Sequence, residues 1–324
     1  MNKGLTKFDF FVTIVFVGNN ENEKGRKDMV YILYNPLAHG GHAEEDILPV
    51  KQKYENVPYE MKNLVETDVP AFLDTLSPDD TVVLCGGDGT LTRFARNVMN
   101  RRLPCEFFFA QAGTGNDFMR DVKDAVVDGL LPLNRYLENL PIVTVNGVDY
   151  PVVNGVGFGI DGMACQVAED KLARGETKID YTAISIKLLL LTYKIPKATV
   201  TVDGVTKKYK RAWIAAGMNG RYYGGGMMVA PEQDRFGDTV TSVMIHGGIR
   251  PRILILFPSI FEGKHVDCKK HTTVMSGKEI TVEFDRPTAL QIDGETIRNV
   301  TSYTMRAQKK TAPVEEPVAV AAVE

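Results

Sequence analysis

The sequence lacks a long hydrophobic run. None of its apolar segments reaches the ~20 residues that a membrane-spanning helix needs. The most apolar stretch near the N-terminus, residues 8–17, is interrupted by Asp9. It is only weakly similar to a signal peptide, because no small-residue cleavage site follows it. We therefore expect residues 1–28 to be a leader ahead of the fold, either unstructured or an additional strand, and not an export signal.

The sequence also has few cysteines and little net charge. Its four cysteines are far apart and form no Cys-x-x-Cys pair, so neither a zinc site nor a disulfide framework is indicated. Unclustered thiols are typical of a reducing compartment, and we expect a cytoplasmic protein. The formal net charge of -3 argues against a nucleic-acid binder, which is usually basic over a whole domain. Attraction to an anionic membrane would have to come from a local basic patch.

The composition, with 44% apolar and 24% charged residues, is that of a globular protein. The pattern of predicted strands and helices divides the chain into two parts. Up to residue 138, apolar strands alternate with helices, which predicts an α/β domain with a parallel sheet. The predicted strands there are residues 29–34, 59–64, 81–85 and 106–110, and the predicted helices are residues 44–54, 69–76 and 91–100.

From residue 139 to 310 the pattern predicts an antiparallel β domain. The final segment of this range packs either in this domain or against the first one. The β domain contains one helical insertion, residues 179–193. Residues 311–324 are low in complexity and predict a disordered tail. The predicted strands of this part are residues 141–146, 150–155, 199–203, 211–217, 239–245 and 279–284.

Three glycine-rich turns follow strands of the first part. At the carboxyl end of a parallel strand, glycines let backbone N–H groups converge, and the next helix adds positive potential at its N-terminus. Ligands collect at this edge of open α/β sheets, so each turn is a candidate phosphate site. Glycine turns are also common punctuation, and it is the presence of three that favours a nucleotide site. The turns are residues 35–41 (NPLAHGG), 86–90 (GGDGT) and 113–117 (GTGND).

Carboxylates accompany these turns. Asp88 and Asp117 lie among the candidate phosphate-binding amides, which is sensible if magnesium lies between acids and phosphates. Near the end of the chain, Asp293 precedes Gly294. This dipeptide alone is an ordinary hairpin turn. Asp293 is also a candidate for accepting an alcohol proton during phosphoryl transfer, although the residues alone favour the turn.

Together these motifs resemble the signature of the diacylglycerol kinase catalytic-domain family, which includes soluble bacterial lipid kinases and is related to sphingosine and ceramide kinases. GGDGT alone is shared with NAD kinases and phosphofructokinases, whereas the combination with the later motifs is not. The resembling segments, in chain order, are Asn35-Pro36 with Gly40, GGDGT at 86–90, GTGND at 113–117, NGVGFG at 154–159, NGRYYGGG at 219–226 and DGE at 293–295.

The resemblance implies an N-terminal nucleotide domain, a C-terminal β-sandwich and an active site in the cleft between them. It implies ATP and Mg²⁺ as cofactors and a lipid with a free hydroxyl as substrate. The implied general base is Asp293, with Glu295 as the alternative. The implied nucleotide-binding positions are Asn35, Pro36, Leu37, Ala38, His39, Thr67, Gly86, Gly87, Asp88, Gly89, Thr90, Leu91, Thr92, Thr114, Asn116 and Asp117.

Two segments depart from the family pattern. The first turn usually carries Ser-Gly and then a basic residue, where this chain has Ala38-His39-Gly40-Gly41-His42. Either histidine is a candidate to compensate for the missing hydroxyl, or both are solvated loop residues. Relatives also often hold a structural Mg²⁺ with an Asp-Gly after the triple glycine. Here Asp234 and Asp238 are the candidate ligands, out of Asp-Gly order, at a site that has shifted or been lost.

Access for the lipid has two interpretations. The apolar segment 179–195, with Lys187 and Lys194, is either a lid and membrane-docking face or part of the core of the second domain. We expect a kinase for diacylglycerol or a similar lipid that contacts the inner membrane face peripherally. Its oligomeric state is open, with a homodimer as the candidate. The alternatives are an NAD kinase-like enzyme and a non-catalytic nucleotide- or lipid-binding protein.

Overall fold

The computed structural model of the protein describes residues 28–36, 45, 47–112, 116–176 and 178–308. Apart from Asp28, the predicted leader lies outside the described residues, and so does the predicted tail. Within the described ranges, no helix is both long enough and apolar enough to cross a membrane.

The first sheet has the strand order β2-β1-β3-β4-β5. Its first four strands are parallel, as predicted, and β5 is added antiparallel to β4 at one edge. The central strands β1 and β3 are buried at nearly every position, which explains their continuous apolar sequences VYILY and TVVLCG. The strands are β1 Val30–Tyr34, β2 Tyr59–Asn63, β3 Thr81–Gly86, β4 Glu106–Gln111 and β5 Leu130–Pro132.

Short helices connect these strands. Asp68 caps one of them, α2, by accepting a hydrogen bond from the Ala71 amide at 3.1 Å. The next helix, α3, buries the predicted apolar face of Leu91, Phe94, Ala95 and Val98. It begins at Asp88, three residues before the predicted start, because the end of GGDGT forms its first turn. The helices are α1 Leu48–Lys53, α2 Val69–Leu73, α3 Asp88–Val98, α4 Asp117–Val122 and α5 Asn134–Leu137.

The second sheet is antiparallel at every pairing of the described strands, which confirms the predicted class. Its main order is β15-β14-β11-β8-β16-β17-β6-β7, and the β9–β10 hairpin also pairs with β16. The strands are β6 Ile142–Val145, β7 Val148–Pro151, β8 Gly155–Gly159, β9 Ala198–Val202, β10 Val205–Tyr209, β11 Ala212–Met218, β14 Val240–His246, β15 Thr272–Gly277, β16 Glu279–Ile292 and β17 Glu295–Arg306, with a small separate hairpin of β12 Tyr222–Tyr223 and β13 Met227–Met228.

The long strand β16 joins two parts of this sheet. Its first half pairs with β9 and its second half with β8, and the register of its pairing with β17 shifts between Glu283 and Thr288. Such irregularities bend a strand and raise its twist. The bend lets one strand serve both parts, and Phe158 of β8 stacks on Phe284 of β16 with ring centroids 4.0 Å apart.

Helices of the second part are α6 Ile160–Ala173, α7 Tyr181–Lys187, continued by a π-helical turn Leu188–Thr192, and α8 Arg250–Leu256. The predicted helix at 179–193 is thus confirmed, and α6 was missed. The predicted strand at 150–155 is wrong, because the chain leaves β7 at Pro151 and enters β8 at Gly155. The glycine-rich motif itself is the strand: β8 is fully buried between β11 and β16, where its low β-propensity is overridden by burial.

Gly159, at the junction of β8 and α6, offers a test of this packing. It has a φ of 125°, and a Cβ there would lie 2.4 Å from the Trp213 carbonyl oxygen. We expect Gly159→Ala to lower the free energy of unfolding by about 3 kcal/mol or more. Gly147→Ala is the matched control, because Gly147 also has a positive φ, 79°, but open space around it. Denaturant unfolding should show a loss of only about 1 kcal/mol there; equal losses would mean that the contact with β11 is unimportant.

Candidate active site

The predicted nucleotide-binding positions lie along the carboxyl edge of the first sheet. Asn35 and Pro36 follow β1, Thr67 lies in the loop after β2, and Gly86 ends β3. Thr67 donates its hydroxyl to the Asn63 carbonyl at 2.8 Å. The remaining members of the first and third turns lie outside the described residues, and their roles stay predictions: Leu37, Ala38, His39, Gly40, Gly41, His42, Gly113, Thr114 and Gly115.

The GGDGT turn combines a close contact with a buried helix start. Gly86 must be glycine, because a Cβ there would lie 2.4 Å from the Cβ of Thr90. Gly89 is exposed, whereas Thr90, Leu91 and Thr92 are buried. Leu91 packs in the core of the first sheet. Of the predicted positions in this turn, Gly87 and Asp88 are therefore partly exposed and Gly89 is fully exposed.

Asp88 joins the second turn to the third. Its carboxylate accepts hydrogen bonds from the backbone N–H of Asp117 at 2.7 Å and of Phe118 at 3.0 Å, at the start of α4. Burial raises the pKa of Asp88 to about 6, although these two amides oppose the shift. The carboxylate expected to face magnesium therefore also fixes the neighbouring turn.

Asn116 and Asp117 carry polar atoms without partners. Asp117 accepts a hydrogen bond from the Gly225 amide at 2.7 Å through Oδ2, but its buried Oδ1 has no partner among the described residues. Neither Oδ1 nor Nδ2 of the buried Asn116 has a partner there either. Burial raises the pKa of Asp117, and the amides of Gly225 and Gly226 oppose this. Buried polar groups are normally satisfied, so these atoms mark a place for a polar ligand.

Asp293 occupies the tight turn between β16 and β17. Asp293 and Gly294 have positive φ values of 49° and 90°, as a type I′ hairpin requires. Its carboxylate accepts three backbone N–H groups, from Val153 at 2.8 Å, Asn154 at 2.7 Å and Gly155 at 2.9 Å. Burial raises the pKa of Asp293, and these amides and Arg235 oppose the rise. The hairpin and catalytic interpretations of Asp293 are therefore compatible.

Asn154 links the acids of the two domains. Its backbone N–H donates to Asp293, while its side-chain Nδ2 lies 3.5 Å from Asp88 Oδ1. A cavity of about 500 Å³ opens beside this contact and is lined by Asp88, Asp117, Asn154 and Asp293. The rest of its wall is largely apolar and comes from α6, α7, β11, the β12–β13 hairpin and the segment after α8, with Ile160, Ala164, Tyr181, Ile214, Phe257 and Phe261 among the lining residues.

Asp161 is a cavity residue that sequence reasoning missed. It lies in the first turn of α6 and accepts the Tyr223 hydroxyl at 2.8 Å through Oδ2. Its Oδ1 is buried without a hydrogen-bond partner among the described residues, while the neighbouring Gln291 side chain interacts with the carboxylate and opposes the rise of its pKa. Burial raises the pKa of Asp161 to about 6. The available signal was an acid directly after a glycine-rich strand, the same pattern as Asp88 and Asp117.

The alternative base and both predicted metal ligands do not line this cavity. Glu295 pairs with Arg96 of α3. Asp234 is exposed and accepts the Phe236 amide at 2.9 Å, and exposed Asp238 lies 3.8 Å from Lys278. Among the described residues, no group of three or more His, Cys, Asp or Glu side chains is placed to hold a metal ion. The metal assignment to Asp234 and Asp238 stays a prediction that this geometry does not support.

Two known protein families match successive parts of the chain. Residues 29–138 match the diacylglycerol kinase catalytic domain, and residues 154–312 match the YegS C-terminal NAD kinase beta sandwich-like domain. The chain combines a diacylglycerol kinase catalytic domain with a YegS C-terminal domain. It is therefore a lipid kinase, a phosphotransferase, and the family implies ATP as phosphoryl donor. This match favours a lipid kinase over the NAD kinase alternative.

Individual relatives of this lipid kinase are distant. A diacylglycerol kinase of Mycobacterium tuberculosis is 26% identical over 63% of this chain and 67% of its own length. A crystal structure of a diacylglycerol kinase from Bacillus anthracis covers 87% of this chain and 94% of its own, with a TM-score of 0.56 and 14% identity. A second Bacillus anthracis structure covers 90% and 96%, with a TM-score of 0.62 and 15% identity. At such identities the likeness is one of fold.

The raised pKa of Asp161 predicts a pH-dependent penalty on stability. Because its folded pKa of about 6 exceeds the ordinary value of 3.8, ionisation of Asp161 destabilises the fold as the pH rises through 6. Asp161→Asn removes this charge and keeps an oxygen for Tyr223. We expect the variant to be more stable than wild type by up to about 3 kcal/mol above pH 7, and by little near pH 4.

Unfolding of both proteins should be followed from pH 4 to pH 8. The other buried acids are common to both, so their titrations cancel in the difference. If the difference in unfolding free energy between the two proteins does not change with pH, the pKa of Asp161 is not raised.

Proposed function

We propose that this kinase transfers the γ-phosphoryl group of ATP to the hydroxyl of diacylglycerol or a similar lipid, within the cavity at Asn154. The observation that carries the proposal is the composition of that one cavity. Acids from both domains meet there beside an apolar wall. An alcohol on an aliphatic chain needs both environments, since its chain is buried in apolar surroundings while its hydroxyl meets the phosphoryl group.

The residues around Asp117 fit Mg·ATP. Mg²⁺ in kinase sites is usually held by one or two carboxylates together with phosphate oxygens. Asp117 Oδ1 and the Asn116 side chain have no protein partner among the described residues. Asp88 is engaged by two amides and would act mainly by fixing this turn. When bound, the metal would neutralise charge on the phosphates.

Asp293 fits the role of general base. Its Oδ1 accepts two N–H groups, whereas its Oδ2 accepts only that of Val153. A carboxylate oxygen has two lone pairs, so Oδ2 can accept a further proton. The amides fix the direction of that lone pair, and burial keeps the carboxyl more basic than usual. Glu295, bonded to Arg96 and absent from the cavity lining, is the weaker candidate.

The same wall of the cavity continues into an exposed apolar surface. Ile184, Leu188 and Leu189 are buried, whereas Leu190 and Leu191 of the π-helical turn are exposed. Residues 179–195 thus contribute both to the core of the second domain and to an exposed apolar surface. The neighbouring α8 is tied to this turn by Arg250, which donates to the Tyr193 carbonyl at 2.8 Å. The exposed apolar surface comprises Tyr181, Ile186, Leu190, Leu191, Ile249, Ile255 and Phe261.

We propose that this surface contacts the membrane peripherally. Tyr181 and Phe261 both line the cavity and belong to the exposed surface, so a lipid could pass from one to the other. Lys187, Lys194 and Arg252 lie on the same segments and suit an anionic leaflet. The use of ATP and the four free cysteines favour the cytoplasmic face of the membrane. A phosphorylated lipid product would be an intermediate suited to phospholipid biosynthesis.

The function is tested by incubating the protein with Mg²⁺, labelled ATP and candidate acceptors in mixed micelles. Diacylglycerol, phosphatidylglycerol, a sphingoid base and a prenol should be compared with NAD. Label in NAD alone, or ATP hydrolysis that no lipid stimulates, would contradict the proposal.

Removal of the proposed base should abolish most turnover. We expect Asp293→Asn to lower kcat by ~10²- to 10⁴-fold, because Asn retains the size but accepts no proton. ATP binding, measured by calorimetry, should change little. Glu295→Gln is the matched control two residues away and should stay close to wild type. If Glu295→Gln loses turnover and Asp293→Asn does not, Glu295 is the base.

The membrane surface makes a separate prediction. Leu191 is 71% exposed and Ile255 80% exposed. Replacement of both by Asp should abolish co-sedimentation with vesicles containing anionic lipid, while kcat on a short-chain lipid dispersed in detergent is kept. Val148→Asp is the control, because Val148 is 50% exposed on β7, a terminal strand of the second sheet. Unchanged sedimentation of the double variant would exclude this surface.

A further inference from the structure

Arg235 is a buried cation beside the active site. It lies in the loop of residues 231–238, between β13 and β14. Its side chain is only 7% exposed, whereas Asp234 and Asp238 of the same loop are exposed. The loop thus turns its guanidinium inward and the carboxylates, predicted above as metal ligands, outward.

The guanidinium of Arg235 bonds to both domains. Its Nε pairs with the carboxylate of Asp121 in α4. Its Nη1 donates to the Val153 carbonyl and its Nη2 to Asn154 Oδ1, each at 2.5 Å. Its Cζ lies 4.9 Å from the centre of the Phe118 ring. Three donor positions of one rigid fork are therefore used on three different residues.

Two of these partners belong to the segment that holds Asp293. Val153 and Asn154 donate their backbone N–H groups to the Asp293 carboxylate, so each residue bonds Arg235 on one side and Asp293 on the other. The positive charge of Arg235 also acts directly on Asp293 and Asp117 and opposes the rise in their pKa values. Asp88 is the other charged group that interacts with Asp293, and the repulsion between the two carboxylates raises the pKa of Asp88.

The glycine of a neighbouring motif makes room for this arrangement. A Cβ at Gly220 would lie 2.1 Å from Arg235 Nη2 and 2.9 Å from Asp121 Oδ2. The backbone N–H of Gly220 donates to the Asn154 carbonyl at 2.9 Å. Any larger residue at position 220 would therefore displace either the ion pair or the segment that carries Asn154.

We propose that Arg235 is a positioning residue for phosphoryl transfer, which fixes Val153 and Asn154 beneath Asp293 and joins them to α4. Its guanidinium also holds the loop of residues 231–238, where a divalent cation would otherwise be needed. The inference rests on the proposed role of Asp293 as general base. Arg235 itself does not line the cavity.

Two substitutions separate the geometry that Arg235 provides from its charge. Arg235→Lys keeps the charge, but an ammonium group cannot bond three partners in a planar fork. Arg235→Met removes both. We expect kcat to fall about 10- to 100-fold in each variant, with a smaller change in KM for ATP. The acid limb of the pH profile of kcat should move to higher pH only in Arg235→Met, because loss of the nearby cation raises the pKa of Asp293.

Arg221 provides the matched control. It also pairs with Asp121, through Nε at 2.5 Å, but its hydrogen bonds go to Asp121 and not to Val153 or Asn154. Arg221→Met therefore removes an ion pair with the same carboxylate and should keep kcat and the pH profile close to wild type. If Arg235→Met does not fold, Arg235→Lys against Arg221→Met still carries the comparison of kcat.

If Arg235 holds the loop of residues 231–238 without a metal ion, the unfolding temperature of the nucleotide-free protein should be the same in EDTA and in excess Mg²⁺. A lower unfolding temperature in EDTA would overturn this role of Arg235. If Asp293→Asn is inactive and the Arg235 variants keep the kcat of Arg221→Met, the positioning role is wrong. Wild-type turnover in Asp293→Asn would instead overturn the base assignment, and this inference with it.

Discussion

The carboxylate of Asp293 and the three N–H groups of Val153, Asn154 and Gly155 form the contact on which the site depends. It closes the β16–β17 hairpin against the start of β8. The carbonyls of the same segment are also used, since Asn219 donates through Nδ2 to Val152 at 3.2 Å and to Val153 at 2.9 Å. Motifs far apart in the chain therefore meet on one short segment, and Asn154 extends it to Asp88 in the other domain.

The cost of this arrangement is a set of buried acids. Burial raises the pKa values of Asp88, Asp117, Asp161 and Asp293. Backbone amides oppose the shift at all four, and Arg235 opposes it at Asp117 and Asp293, so desolvation is partly offset by fixed dipoles and one fixed charge. A cluster of perturbed acids in a cavity is characteristic of functional sites, because the same burial that lowers stability makes carboxylates more basic. The apolar wall beside them gives the cavity its lipid character.

Much of the fold was predictable because its signals are local. Runs such as MVYILY and TVVLC specify strands buried on both faces, and the glycine turns after them specify the edge at which a ligand binds. β8 was missed because Gly155, Gly157 and Gly159 suggest a loop, and only burial between two other strands makes that segment a strand. Asp161 was missed for the same reason. Arg235 points inward because it pairs with Asp121 and because Gly220 leaves room for it, while Asp234 and Asp238 are exposed. No pattern in the sequence predicts these side-chain orientations.

A crystal structure with Mg²⁺ and a non-hydrolysable ATP analogue would test the central claim most directly, namely that the acids of both domains act on one phosphoryl group at the cavity. The account predicts the γ-phosphate beside Asn116 and Asp117, with Asp293 facing it across the cavity and its three amide bonds intact. A γ-phosphate held away from this cavity, or an Asp293 carboxylate that faces away from it, would contradict the account.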